Sequence, residues 1–250
     1  MSPKQISTYE PETQELPRGH ECFMHAAAYP CRDGKITDFS FIHGVYGKTT
    51  NPVTLENDSD EPALACFFIK KRLYEGTHAQ HNVCEARRYI DVTNPDAIRE
   101  FIRNTYEPYY AYTKHHLAEG DGKIEAIFTD EPQYYRWGTV WSDKMPAEFK
   151  AAYGYDVVDF LPALFIDFDG DKEFRYDYWK LCHKLFINHW IKPVYDWCEE
   201  NGCRLTGHAV DLYDPEAVIS TMGSFFNLPV IRLSSGEEVD SLIAKLRARY

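Results

Sequence analysis

The sharpest chemical signal in this chain is Ile127-Phe128-Thr129-Asp130-Glu131-Pro132: an apolar strand that runs into two adjacent carboxylates and is stopped by a proline. Side chains alternate along a strand, so one acid points into a mouth at the strand end while the other meets the wall. Glu131 has the longer reach and reads as a general acid, with Asp130 orienting it or binding a substrate hydroxyl. The bland alternative is an acidic strand end that caps a loop. Tyr134, Tyr135, Trp137 and Trp141 follow within ten residues of Glu131. Aromatic faces pack against the C–H faces of sugar rings, and carboxylates hold hydroxyls. An acidic, aromatic cleft therefore suits a neutral polar ligand better than an anion. Each single ring is more readily explained by packing of the loop; for at least one of the four, a ligand platform is the better reading.

Thr206-Gly207-His208 ends a second strand and is expected at the same mouth. His208 would bind a substrate hydroxyl or tune the acid, and the glycine permits close backbone approach. A histidine satisfied by backbone partners is the competing reading. Tyr89-Ile90-Asp91 resembles another strand end, which would bring Asp91 to the mouth; otherwise Asp91 helps the chain enter the helix at Asn94. Asp211 and Asp214 follow His208, and Asp214 is better explained as the cap of a helix at Pro215. His115-His116, near the end of an exposed helix, reads as solvated. His20, Cys22, His25 and Cys31 are close enough to suggest a metal cluster, but their spacing fits no standard zinc pattern. The chain has no Gly-rich phosphate loop and no G-x-S-x-G elbow.

Composition narrows the classes. The chain has 250 residues, with 39 acidic against 27 basic residues and a net charge of −12, so polyphosphate backbones and anionic membranes are poor partners. Apolar residues make up 44% and aromatics 15%, which excludes a disordered chain. No apolar run approaches a membrane span, and the start lacks the apolar core of a signal peptide; taken from Met1, the protein is expected in the cytoplasm. Seven cysteines without a C-x-x-C pair argue against a disulfide framework and for reduced, partly buried thiols.

The elements that must position these residues change character near residue 85. Residues 1–85 read as short strands and loops, with apolar stretches at Phe39 to Ile42 and Ala63 to Ile69. Residues 86–250 read as long helices and short strands. Asn94-Pro95-Asp96 starts a helix expected to run to about Leu117. A longer helix is expected from about Glu173 to Asn201, with Phe174, Tyr178, Leu181, Leu185, Trp190, Val194 and Trp197 as its buried stripe and a kink at Pro193. Strands are expected from Lys123 to Thr129, Cys203 to His208 and Leu228 to Leu233, with a last helix from Glu237 to Arg249. Such alternation implies an α/β fold with a parallel sheet.

Several segments, in order, resemble large bacterial glycoside hydrolases. They are Tyr89 to Pro95, Phe128 to Pro132, Trp141, the Phe149 to Gly154 segment, Phe174 to Trp179 and Leu205 to His208. The resemblance covers roughly residues 80–230, and the nearest named relatives are the family 106 α-L-rhamnosidases. It implies a (β/α)₈ barrel with Glu131 as general acid. It also implies a second catalytic glutamate on a later strand, beyond the third strand found here; Glu237 and Glu238 look instead like the start of the last helix. Residues 1–80 resemble, more loosely, an irregular insertion. The expectation is thus a partial barrel carrying a strand-rich N-terminal segment, completed by missing barrel segments or a partner chain. Its catalytic residues would be Glu131 and Asp130. His208, Asp91, Tyr134, Trp137 and Trp141 would hold an oligosaccharide or glycoside, with no cofactor and no resident metal. The alternatives are a non-catalytic carbohydrate-binding or structural remnant, and a metal-dependent hydrolase using Asp130, Glu131 and His208.

Overall fold

A computed structural model describes residues 1–9, 21–40, 42–47, 51–71, 90–116, 124–130, 132, 139–168, 170–208 and 228–229. In chain order the strands and helices are β1 (Ile6–Tyr9), β2 (Glu21–Arg32), β3 (Lys35–Ile36), β4 (His43–Tyr46), β5 (Val53–Glu56), β6 (Ala63–Lys71), α1 (Pro95–Asn104), α2 (Tyr106–His116), β7 (Ala126–Asp130), α3 (Met145–Tyr153), α4 (Asp171–Phe186), α5 (Lys192–Glu200), β8 (Arg204–His208) and β9 (Leu228–Pro229). Contacts divide the chain into two units: residues 1–90 with 135–184, and residues 91–134 with 185–250. The first unit is therefore discontinuous, rather than ending at the change of character near residue 85.

In the first unit, β2 is the centre. It pairs antiparallel with β6 from Glu21↔Lys71 to Pro30↔Ala63, with a bulge between Phe23 and His25, and antiparallel with β4 on its other side. Asp33 and Gly34 both take positive φ (52° and 77°), the two-residue turn that leads β2 back into β3. Ala26, Ala27, Ala28 and Tyr29 are all fully buried, so β2 is covered on both faces. One face packs Phe23 and Ala26 on Val53 and Leu55; the other packs Ala27, Tyr29 and Ile36 with Phe39, Ile166 and Phe168 around them. Each large side chain buried here contributes about 1.5–3 kcal/mol relative to exposure.

Residues 135–184 join this unit through aromatic packing. Phe39, expected in a strand, lies in irregular chain just ahead of β4, its ring 4.7 Å from Phe160 and 4.4 Å from Phe168. Burial of the ring between these partners outweighs the β propensity of the segment. Tyr29 donates from its hydroxyl to the Asp159 carbonyl (3.3 Å), and Phe160 stacks on Phe174 of α4. Arg175 fixes the loop before α4: it donates to the Ala163 and Ile166 carbonyls and pairs with Asp167 (2.8 Å) and the buried Asp171 (3.0 Å). Within the Phe174 to Trp179 motif, Phe174 and Tyr178 are buried, the Tyr178 hydroxyl donates to the Val140 carbonyl and Asp177 accepts from the Tyr155 hydroxyl (3.0 Å), whereas Tyr176 is exposed.

In the second unit, Asn94 caps α1 by accepting from the Asp96 amide (3.0 Å), and Ile98 and Ile102 are buried. The single helix expected here is broken at Thr105. Pro108 has no N–H to offer the Asn104 carbonyl and its ring crowds that group, so α1 ends and α2 restarts one residue later. The kink expected at Pro193 takes the form of a π-turn at Ile187–Ile191, whose last bond runs from the Lys192 amide to the Ile187 carbonyl. The turn inserts one residue into the ladder ahead of the proline. All seven stripe residues from Phe174 to Trp197 are buried. β7, β8 and β9 form a parallel sheet in that order, as the alternation of elements implied. The strand expected from Lys123 begins at Ala126. β9 comprises Leu228 and Pro229; residues 230–250, including the expected last helix, lie outside the described residues. No described helix is long and apolar enough to cross a membrane.

His25 sits at the β2 bulge, 1% exposed, with its ring 4.3 Å from Tyr46 and 5.8 Å from Phe68. His20 lies outside the described residues, and among the described ones no group of three His, Cys, Asp or Glu side chains is placed to hold a metal. Burial pushes the His25 imidazole from 6.5 down to about 4, partly offset by a hydrogen bond to the Val45 backbone. The folded state therefore holds His25 neutral while the unfolded chain protonates it below 6.5. Stability from this group is full above pH 6.5 and is lost as pH falls toward 4, by about 3 kcal/mol. Urea unfolding at pH 7.5 and 4.5 should show His25→Phe losing less stability than the wild type across that interval. Equal losses would remove His25 from the acid sensitivity.

Candidate functional site

The site is built where β7 and β8 end. The helix layer of the second unit sets β8 in place. Phe101 of α1 packs on Trp190 (ring centroids 5.1 Å apart), Tyr106 and Tyr110 of α2 flank Trp197, and the Tyr110 hydroxyl donates to the Asn201 carbonyl (2.9 Å). α5 stops at Asn201-Gly202, with Gly202 at φ 67°, and the chain turns directly into β8. The Arg204 amide donates to the Glu125 carbonyl (2.9 Å), which starts the parallel pairing one residue ahead of β7.

From there the register runs Ala126↔Arg204, Ile127↔Leu205, Phe128↔Thr206, Thr129↔Gly207 and Asp130↔His208. Two candidates named from separate sequence segments, Asp130 and His208, are thus side by side at the carboxyl ends of adjacent parallel strands. Burial alternates along the pair. Thr129, Leu205 and Gly207 are buried, while Phe128 is 54% exposed and Arg204 is exposed. Asp130 and His208 follow Thr129 and Gly207 as the last residues of the two paired strands.

Gly207 makes this arrangement possible. Its φ is +139°, a value other residues rarely adopt. A Cβ there would enter the van der Waals shell of the Thr129 carbonyl oxygen and stand 2.9 Å from the Thr129 carbonyl carbon and amide nitrogen. The glycine read from the sequence as permitting close approach is in fact required by its own neighbouring strand.

The other candidates divide. Asp91 is half-buried, and its Oδ1 accepts from the Thr93 amide (3.0 Å) and the Thr93 hydroxyl (2.7 Å). The Asn94 amide reaches the Asp91 carbonyl (3.1 Å), so this residue shapes the entry to α1. Ile90 and Asp91 are irregular chain rather than a strand. Trp141 is half-buried and belongs to the first unit. Glu131, Tyr134, Tyr135, Trp137, Asp211 and Asp214 lie outside the described residues. One positioning residue carried no sequence signal: His189, in the π-turn, hydrogen-bonds through Nδ1 to the Thr93 carbonyl (2.7 Å) and so fixes the Asp91 turn. Only the anomalous spacing of the helix stripe hinted at a specialised turn there.

Chemically, a carboxylate residue beside an imidazole residue at a strand edge can hold a hydroxyl between acceptor and donor and can move a proton at a bound oxygen.

No protein-family model matches the chain. A 48-residue stretch is 44% identical to a 23S rRNA (uridine(2479)-2'-O)-methyltransferase of Streptomyces viridochromogenes, spanning 19% of this chain and 17% of that protein. The structure is similar, at a TM-score of 0.36 and 14% identity, to a rhamnosidase from Novosphingobium sp. PP1Y, over 86% of this chain and 28% of that one. The chain thus spans less than a third of either protein.

The strand-end geometry predicts unequal costs for two glycines five residues apart. Gly207→Ala must part β7 from β8 and should cost about 3 kcal/mol or more in urea unfolding. Gly202→Ala meets open space and should cost only the left-handed penalty, about 1–2 kcal/mol. Equal costs would show that the strands do not meet so closely at Gly207.

Proposed function

We propose that this chain is a carbohydrate-active segment of a (β/α)-barrel glycoside hydrolase, with Glu131 as general acid and Asp130 and His208 beside it. One observation carries the reading: Asp130 and His208 are register partners at the carboxyl edge of a parallel sheet. In parallel α/β folds that edge is where catalytic groups converge. The chemistry of the residue types agrees. Glycoside hydrolysis needs a protonated carboxyl at the leaving oxygen, and the neighbouring carboxylate and imidazole suit sugar hydroxyls. A net charge of −12 favours a neutral sugar over a phosphate-rich ligand such as RNA. Tyr134, which belongs to the same unit as Asp130 and His208, is proposed to offer an aromatic face to the sugar. The second carboxylate of the reaction belongs, in this reading, to a further barrel segment or a partner chain.

A panel of aryl glycosides, with oligosaccharide binding measured by calorimetry in parallel, tests this. With the segment or partner that supplies the second carboxylate present, turnover reduced about 10²–10⁴-fold by Glu131→Gln, with binding retained, is the expected result. Binding without turnover, weakened by His208→Ala, would leave a non-catalytic carbohydrate-binding module. Neither turnover nor binding across the panel would overturn the carbohydrate reading.

A further inference from the structure

We propose that Cys198 and Cys203 form a thiol pair that closes to an intramolecular disulfide under oxidising conditions, stapling the end of α5 to the residue that enters β8. The argument starts from how α5 ends. The Cys203 amide donates to the Cys198 carbonyl (3.0 Å) and the Gly202 amide to the Glu199 carbonyl (3.2 Å), with Gly202 left-handed. These are the paired 6→1 and 5→2 bonds of a Schellman motif. That motif brings the side chain three residues inside the helix end against the one two residues beyond it, usually as an apolar contact. Here both of those residues are cysteines.

Their geometry follows from the motif. Both are free and buried, at 0% and 3% exposure. The Cys203 thiol donates to the Cys198 carbonyl oxygen (3.5 Å). The bridge would join two positions that the Schellman bonds already fix against one another. Cys31 and Cys66 are half-buried, and Cys182 is buried beside Tyr178 in α4.

The step balances with a low-molecular-weight disulfide as oxidant. One thiolate attacks it, releases one thiol and forms a mixed disulfide; the second thiolate displaces the other thiol and closes the Cys198–Cys203 bond. Two protons and two electrons leave the pair and appear on the two released thiols. Burial pushes both thiols above the usual thiol range, so closure is slow at neutral pH, faster as pH rises, and gated by opening of the last turn of α5.

Both cysteines fall in one tryptic peptide, residues 185–204, because Lys192 precedes a proline. The full chain is incubated with oxidised glutathione, alkylated without reduction, digested and weighed. The expected peptide is about 2 Da lighter than the reduced form and unalkylated, and it gains two alkyl groups after reduction. Oxidation should also raise the thermal midpoint by a few degrees, an effect absent in Cys203→Ser. A peptide 185–204 that stays doubly alkylable while Cys31 and Cys66 are modified would overturn the proposal. So would a midpoint rise that persists in Cys203→Ser.

Discussion

The backbone of β8 lies so close to Thr129 of β7 that only glycine fits at position 207, and the second unit depends on this contact. The approach locks the register one step before the strand ends, and the register decides which residues meet there. A one-residue slip would set Asp130 against Gly207 or Ala209 instead of His208, and every side chain would change faces. The helices serve the same end. α5 delivers the chain into β8 through a tightly bonded helix stop. Trp190 and Trp197 anchor that helix to the rings of α1 and α2. The π-turn then sends His189 to the Thr93 carbonyl, which holds the Asp91 turn in place.

The first unit is governed by different physics. Three consecutive alanines in β2 leave room for a packed layer on each face, so a single strand serves two hydrophobic clusters. Phe168 packs onto one of those clusters and Phe160 onto its Phe39, and Arg175 ties the preceding loop to α4 through two carbonyls and two carboxylates. Much of the aromatic and charged richness of this chain is accounted for by such packing rather than by a ligand. Phe174 to Trp179 contributed to the family resemblance, and its described contacts are structural.

The features most legible in the sequence were those set by local chemistry. The Asn94 cap, the Asp33-Gly34 turn, the Asn201-Gly202 stop and the two parallel strands all follow from single residues with strong backbone preferences. The buried stripe was legible too, and it held more than was read from it. Phe174, Tyr178, Leu181 and Leu185 step by four, three and four, but Trp190 comes five residues later, which is the signature of the inserted π-turn. Pro108 carried the break between α1 and α2 in plain sight, masked by a continuing run of tyrosines. β2 was hard to see because burial on both faces erases the alternation that marks a strand. Within the candidate site, Asp130 and His208 stood out because each closes an apolar strand. The part Asp91 plays in the helix entry rests on local bonds to Thr93 and Asn94, whereas the grouping of residues 135–184 with the N-terminal strands depends on contacts between segments far apart in sequence.

The strand edge at Asp130 and His208 is the proposed place of sugar recognition. A crystal structure of the chain soaked with the oligosaccharide it binds most tightly tests this most directly. Saccharide oxygens within about 2.6–3.2 Å of the carboxyl groups of Asp130 or Glu131 and of the His208 imidazole are the expected result. A saccharide bound elsewhere, with these side chains untouched, would contradict it.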